Sequence, residues 1–180
     1  MHEKRFEGTV ERLRAPERVA RLEVERVVSL CLETLDLKTV LDVGVGSGLF
    51  AEAFSYRGLE VAGVDVNPDM IAAARQFVPQ GDFREAVAES LPYPDGSFDL
   101  VFMSLLLHES DETLIVLQEA RRVARQRVCI LEWPYQDGKF GPPLAHRLNP
   151  TDIEDLTQKA GLPHLESFML NQLVLYRLTI

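Results

Sequence analysis

Cysteine is scarce in this chain, two in 180 residues, and tryptophan occurs once. Two thiols, Cys31 in a helical pattern and Cys129 in a strand pattern, are too few and too far apart in the sequence for a zinc or disulfide framework. Both read as small core residues, and no metal is expected. Basic residues are also in short supply: 19 Lys and Arg against 28 Asp and Glu leave a net charge of −9. That balance favours solubility and opposes unassisted docking on nucleic acid or an anionic membrane. No apolar run approaches the roughly 20 residues that span a bilayer. The opening HEKRFEGTVERLR is charged throughout, without the basic leader and apolar core of an export signal. These absences predict a cytoplasmic chain whose partners are small molecules, with no nucleic acid and no membrane. At 46% apolar, residues 1–180 suit one domain, and no repeat or low-complexity segment is visible.

Glycine, by contrast, is concentrated where it carries meaning. In TVLDVGVGSGLF, residues 39–50, an apolar run ends in Asp42 and passes into Gly44, Gly46 and Gly48. Missing Cβ atoms let main-chain amides approach a ligand where a strand ends and a helix begins with its positive pole facing the same spot. The next apolar run, LEVAGVD at residues 59–65, ends in Asp65 at the distance a βαβ unit requires, where an acid can hold a ribose diol. A dinucleotide fingerprint would need a third small residue at position 49, which is Leu49.

Periodicity supplies the frame. Ala20, Val24, Val27, Cys31 and Leu35 fall at helical spacing after Pro16, predicting one amphipathic helix over 17–35. Strand patterns follow at 40–43, 61–65, 83–87, 100–104 and 128–133, alternating with helices, one of them over 111–124. The first of these helices stops at Gly58, and Asn67-Pro68 caps the second. Residues 124–127, ARQR, read as the turn into the fifth strand. Pro134, Pro142, Pro143 and Pro150 then enclose a segment without period, read as a loop over the sheet edge. Thr151 and Glu154 form a capping box for a last helix that Ala160-Gly161 closes. Runs at 165–170 and 173–180, separated by Asn171-Gln172, predict an antiparallel pair. The class is α/β, a doubly wound and mostly parallel sheet.

The G-x-G-x-G loop after an acidic strand end resembles the first motif of the class I S-adenosylmethionine-dependent methyltransferases. AESLPYPDGSFD, residues 88–99, resembles the A-E-x-L-P-F-x-D-x-S-F-D segment of their UbiE-like, type 11 group. The resemblance implies a seven-stranded sheet of order 3-2-1-4-5-7-6 with a C-terminal hairpin, and S-adenosyl-L-methionine as cofactor. By the same resemblance Gly44, Gly46 and Gly48 meet the methionine end, Asp42 its amino group and Asp65 the ribose. Val66 and Asn67 lie along the adenine edge, and Ala88 faces the ring. Many relatives place an acid before that alanine where this chain has Val87, and Glu89 is the compensating candidate. Met103, with Ser104 and Leu105, should border the sulfonium, while Asp99 caps or pairs locally. GPPLAHRL, residues 141–148, resembles a G-P-P-x-x-x-R-L stretch, in which His146 and Arg147 close the pocket or pair with a surface acid.

No fixed catalytic set is implied, because methyl transfer from a sulfonium needs alignment above all. His108, Glu132 and Tyr135 are the candidates should the acceptor have to lose a proton, and Trp133 is either pocket wall or core. The expected activity is methyl transfer to an unidentified small-molecule acceptor. A non-catalytic regulatory module that binds the same cofactor is the alternative, and an oxidoreductase is opposed by Leu49 and by residues 88–99. Residues 1–38 are expected to form a lid or pocket wall, with Phe6, Val10 and Leu13 ordering on a ligand. The hairpin edge would permit a homodimer.

Overall fold

The central strand, β1 (Thr39–Val43), has Val40, Leu41 and Val43 all buried, so it is covered on both faces. This is what a run of apolar residues without alternation requires of a parallel sheet. The structure, a computed structural model, describes residues 9–180. Six more strands join β1: β2 (Glu60–Asp65), β3 (Asp82–Glu85), β4 (Phe98–Ser104), β5 (Ala124–Glu132), β6 (His164–Met169) and β7 (Val174–Thr179). Their order is β3-β2-β1-β4-β5-β7-β6, as expected. The first five run parallel, and β7 pairs antiparallel with both β5 and β6. Among the described residues no helix is long and apolar enough to cross a membrane.

Helices cover both faces: α1 (Val10–Leu13), α2 (Pro16–Leu22), α3 (Val24–Leu32), α4 (Leu49–Tyr56), α5 (Pro68–Phe77), α6 (Thr113–Val123) and α7 (Pro150–Lys159). Period-two alternation sorts the strand side chains into two apolar layers. Val40, Phe102, Cys129 and Leu131 pack with Val28, Phe50 and Phe54 on the α3–α5 side. Leu41, Val43, Val101, Met103, Val128 and Ile130 pack with Leu117 and Ile153 of α6 and α7 on the other. Phe102 is the joint of the first layer, with Phe50 and Phe54 ring centroids at 4.7 and 5.3 Å.

Three expectations need correction. The helix expected over 17–35 is broken at Glu23, which takes a left-handed conformation (φ 46°) between α2 and α3. The Glu23 carboxylate compensates by accepting from the Asn171 amide at 2.7 Å and from Arg26 at 3.0 Å, tying the break to the turn before β7. The cap of α7 is Asn149 and not the Thr151–Glu154 box: its side chain accepts from the Thr151 amide, and Pro150 fills the first helical position. The ARQR segment is no turn, since α6 ends at Val123 and β5 begins at Ala124.

Strand structure is possible there because the polar side chains find partners. Arg125 and Gln126 donate to Asp99 at 3.0 and 3.1 Å. Arg127, buried, donates to the Cys31 and Glu33 carbonyls at 2.8 and 2.7 Å, satisfying acceptors that the end of α3 leaves open. Asp99 thus pairs locally, as expected. Burial acts against its charge, but the Lys38 and Thr39 amides with Gln126 and Arg125 hold its carboxyl down at about 2.

The two cysteines are free core residues, as expected, and though distant in sequence they are neighbours there. Burial pushes the Cys31 thiol well up, and Cys129 beside it adds to the effect.

Candidate functional site

In the sheet β1 lies between β2 and β4, so the chain leaves it in opposite directions on its two sides. The crevice at the carboxyl ends of these strands is the site such sheets offer to ligands. Residues 44–48 form its floor. Gly44, Gly46 and Gly48 all take positive φ (73°, 51° and 76°). The Gly44 and Val45 amides donate to the Val64 carbonyl at 2.9 Å, binding the loop to β2. Asp65 completes the tie, accepting from the Gly46 amide and from the Asn67 amide, each at 2.9 Å. A Cβ on Gly48 would lie 2.9 Å from the Ala74 Cα, so this glycine is what lets the loop rest on α5.

Asp42 sits beneath the loop with 2% of its surface exposed. Burial and the charge of Asp65 push its carboxyl up to about 8, opposed by the Ala51 amide in the first turn of α4. A buried acid of this kind calls for a cation. The amino group of an amino-acid ligand is such a cation, and the positive end of α4 beside it suits the carboxylate of the same ligand. The residues present therefore fit the methionine end of the expected cofactor.

The other expected contacts are placed unevenly. Val66 is exposed, and Asn67 is half-buried with its side chain capping α5 through the Asp69 amide at 2.9 Å. Ala88 is half-buried against the second apolar layer, and the Glu89 carboxylate accepts from the Ser110 hydroxyl at 3.3 Å. Met103 is fully buried among the side chains facing α6 and α7, so alternation along β4 turns its thioether away from the crevice. Ser104, one residue on, lines the crevice together with Asp42, Gly44 and Gly46.

Sequence reasoning named Leu13 but missed Arg14 and Leu22. Leu13 and Leu22 line the same cavity, and a Cβ on Gly46 would meet Leu13 at 3.2 Å. Arg14 fastens α1 to the loop: its guanidinium donates to the Ser47 carbonyl at 3.0 and 3.3 Å and to Glu52 at 2.8 Å, and lies 3.2 Å from the Phe77 ring centroid. Residues 9–22 are thus a strap across the glycine loop. The part of the expected lid before Thr9, Phe6 included, lies outside the described residues. The cavity left between strap and loop is about 60 Å³, with Leu13, Arg18 and Leu22 above it and Asp42, Gly44 and Gly46 below. The available signals were Val10 and Leu13, apolar residues ahead of Pro16 in an otherwise charged stretch.

At the ends of β4 and β5, His108 meets Glu132, its Nδ1 2.9 Å from Oε2 and 3.2 Å from Oε1. Tyr135 is exposed beyond them. Trp133 is buried beneath the proline-bounded loop, where a Cβ on Gly141 would come within 2.5 Å of its ring. Arg147 closes that loop on itself, donating to the carbonyls of Pro134, Gln136, Phe140 and Pro142. It pairs with no surface acid. Arg21 of α2 stacks on Phe140 at 3.8 Å, so strap and loop touch.

Comparison with known proteins agrees with this geometry. The methyltransferase domain family model matches residues 41–130, from the middle of β1 into β5. An uncharacterised methyltransferase of Synechocystis sp. is 38% identical over 166 residues, covering 80% of this chain and 78% of that protein. The uncharacterised methyltransferase YcgJ of Bacillus subtilis is 36% identical over 92 residues, 48% of this chain and 36% of its own length. Among solved structures, a SAM-dependent methyltransferase from Aquifex aeolicus superposes with a TM-score of 0.78 at 23% identity, covering 95% and 96% of the two chains. The chain belongs to the methyltransferase domain family.

Proposed function

We propose that this chain methylates a small-molecule acceptor in the space between the glycine loop, the strap and the proline-bounded loop. The observation that carries the reading is the pairing of a buried, proton-holding Asp42 with a Gly46 amide tied to Asp65. It supports an ammonium site and a sugar-diol site on either side of one loop. S-adenosylmethionine, when bound, supplies a methyl group already attached to its leaving group. The protein's part is to hold donor and acceptor in line, which accounts for roughly 7 to 11 kcal/mol of barrier lowering.

In this reading Asp42 holds the ammonium, amides of residues 44–48 approach the carboxylate, and Asp65 takes the ribose hydroxyls on its remaining lone pairs. Val66, Asn67 and the Ala88 backbone border the adenine. Residues 9–22 act as the lid, with Arg14 as its latch, and the Trp133–Arg147 segment forms the roof over the acceptor. The acidic charge supports a cytoplasmic setting and small uncharged or cationic acceptors over nucleic acid. The outer edge of β6 supports self-association into a homodimer.

The test is a transfer assay with donor labelled in its methyl group and a library of small acceptors. Labelled product is expected from the wild-type protein and not from Asp65→Ala. Labelled product from a variant that no longer binds S-adenosylhomocysteine would contradict the assignment.

A further inference from the structure

A second charged group, unused by the cofactor cradle, lies at the acceptor side of the crevice. Strands β4 and β5 are paired neighbours with Ser104 opposite Leu131, so the residues just beyond them, His108 and Glu132, share one edge. Both are withdrawn from solvent, with side-chain exposures of 10% and 3%. Glu132 receives the His108 amide at 3.3 Å and the Trp133 amide at 3.2 Å in addition to the imidazole Nδ1. A carboxylate held in this way keeps the histidine proton on Nδ1 and leaves the lone pair on Nε2. Nε2 faces Glu109 at 3.7 Å, beyond hydrogen-bond length. Leu106, two residues before His108, packs on the glycine loop, 3.1 Å from where a Cβ on Gly44 would stand, and Glu109 acts on the charge of Arg18, which lines the crevice, so the pair lies beside the crevice mouth.

We propose that His108 is the general base of the transfer, with Glu132 as its positioning residue, and that the acceptor is a hydroxyl compound of phenol-like acidity. The inference rests on the methyltransferase reading above. A neutral aromatic amine or imidazole acceptor already carries a free lone pair and needs no base before attack, whereas a phenol near pKa 10 is almost wholly protonated at neutral pH. A positioned base contributes roughly 10²- to 10⁴-fold in such a step. The acceptor O–H bond breaks and its proton passes to Nε2. The freed electron pair forms the O–CH3 bond as the C–S bond breaks, its pair returning to sulfur. One positive charge enters, as sulfonium, and one leaves, as imidazolium.

The electrostatics agree. Burial opposes the imidazolium, but the hydrogen bond and charge of Glu132, aided by Glu109, raise the histidine above its ordinary value. Arg147, from the proline-bounded loop, works against them. A raised histidine is a stronger base than free imidazole.

Two measurements test this. Nitrogen-15 NMR titration of the four histidines in ligand-free protein, with His108→Gln to assign the signal, should give His108 a midpoint above 6.5 that falls in Glu132→Gln. A midpoint at or below 6.5 in the wild type, or one unmoved by Glu132→Gln, overturns the pairing. If Glu132→Gln does not fold, the wild-type midpoint decides. The second measurement offers methyl-labelled donor with catechol, phenol and histamine as probes. Transfer to the phenols is expected, falling about 100-fold or more in His108→Gln while S-adenosylhomocysteine affinity is unchanged. Transfer to histamine alone, to none of the three, or undiminished in His108→Gln overturns the acceptor class and the base. Loss of S-adenosylhomocysteine binding by the wild type would instead overturn the methyltransferase reading.

Discussion

The Asp65 carboxylate accepts a hydrogen bond from the Gly46 amide at 2.9 Å, so the acid at the end of β2 fixes the loop that follows β1. That acid shapes the cradle, and in the proposed site it also grips the sugar. Asp65→Ala should weaken S-adenosylhomocysteine binding about 100-fold, the roughly 2–3 kcal/mol expected from losing charge-assisted hydrogen bonds. Asp65→Asn keeps an acceptor for Gly46 and should lose less. Equal affinity of Asp65→Ala and wild type in a calorimetric titration would remove Asp65 from the site.

Two glycines with similar backbone angles separate strain from contact. Gly58 (φ 85°) has open space where a Cβ would stand, while Gly48 (φ 76°) has the Ala74 Cα at 2.9 Å. Gly58→Ala should cost about 1 kcal/mol, the left-handed penalty alone. Gly48→Ala should cost about 3 kcal/mol, because a backbone atom must also move. Urea unfolding of both variants measures the difference, and equal losses would mean that the loop does not bear on α5.

Arg147 gathers four carbonyls of its own loop. Arg147→Ala should cost roughly 2 kcal/mol and open residues 134–147 to limited proteolysis. Arg147→Lys should not restore protection, since a single ammonium lacks the planar fork that reaches several acceptors. A loop that stays intact in both variants would assign its order to Trp133 instead.

Stability should fall as pH rises from about 5 to about 8 in the ligand-free protein. Folding lifts Asp42 from 3.8 to about 8, so between these values the folded chain holds a proton that the unfolded chain has released. His108, raised on folding, stabilises fully below its unfolded value, and this is lost as pH passes its folded value. Asp99 acts oppositely, its contribution present above 3.8 and lost as pH falls toward about 2. A Tm profile from pH 3 to 9 should therefore peak on the acid side of neutrality. A Tm that climbs steadily from pH 5 to 8 would show that Asp42 is ionised in the folded chain.

Much of this was legible in the sequence because it rests on local chemistry. The α/β class followed from the run of alternating periods, the strand order from the resemblance, and the cradle from glycine spacing after Asp42. Asn67 and Pro68 announced α5, and they cap it. What stayed hidden depended on partners far along the chain. Nothing near Glu23 marks a helix break, because the break is held by Asn171. Polar ARQR reads as a turn until Asp99 and the end of α3 are known to receive it. Met103 and Ser104 looked equivalent in a list of neighbours, but the pleat of β4 sends one into the core and the other to the crevice. Arg14 gave no signal, since its partners Ser47, Glu52 and Phe77 come together only in the fold.

The most direct measurement is calorimetric titration of S-adenosylhomocysteine into the wild-type protein at pH 7, repeated in buffers of different ionisation enthalpy. The account predicts one site per chain and a proton released on binding, as the ligand ammonium draws Asp42 into its ionised form. Absence of binding, or binding whose heat is the same in every buffer and unchanged in Asp42→Asn, would contradict it.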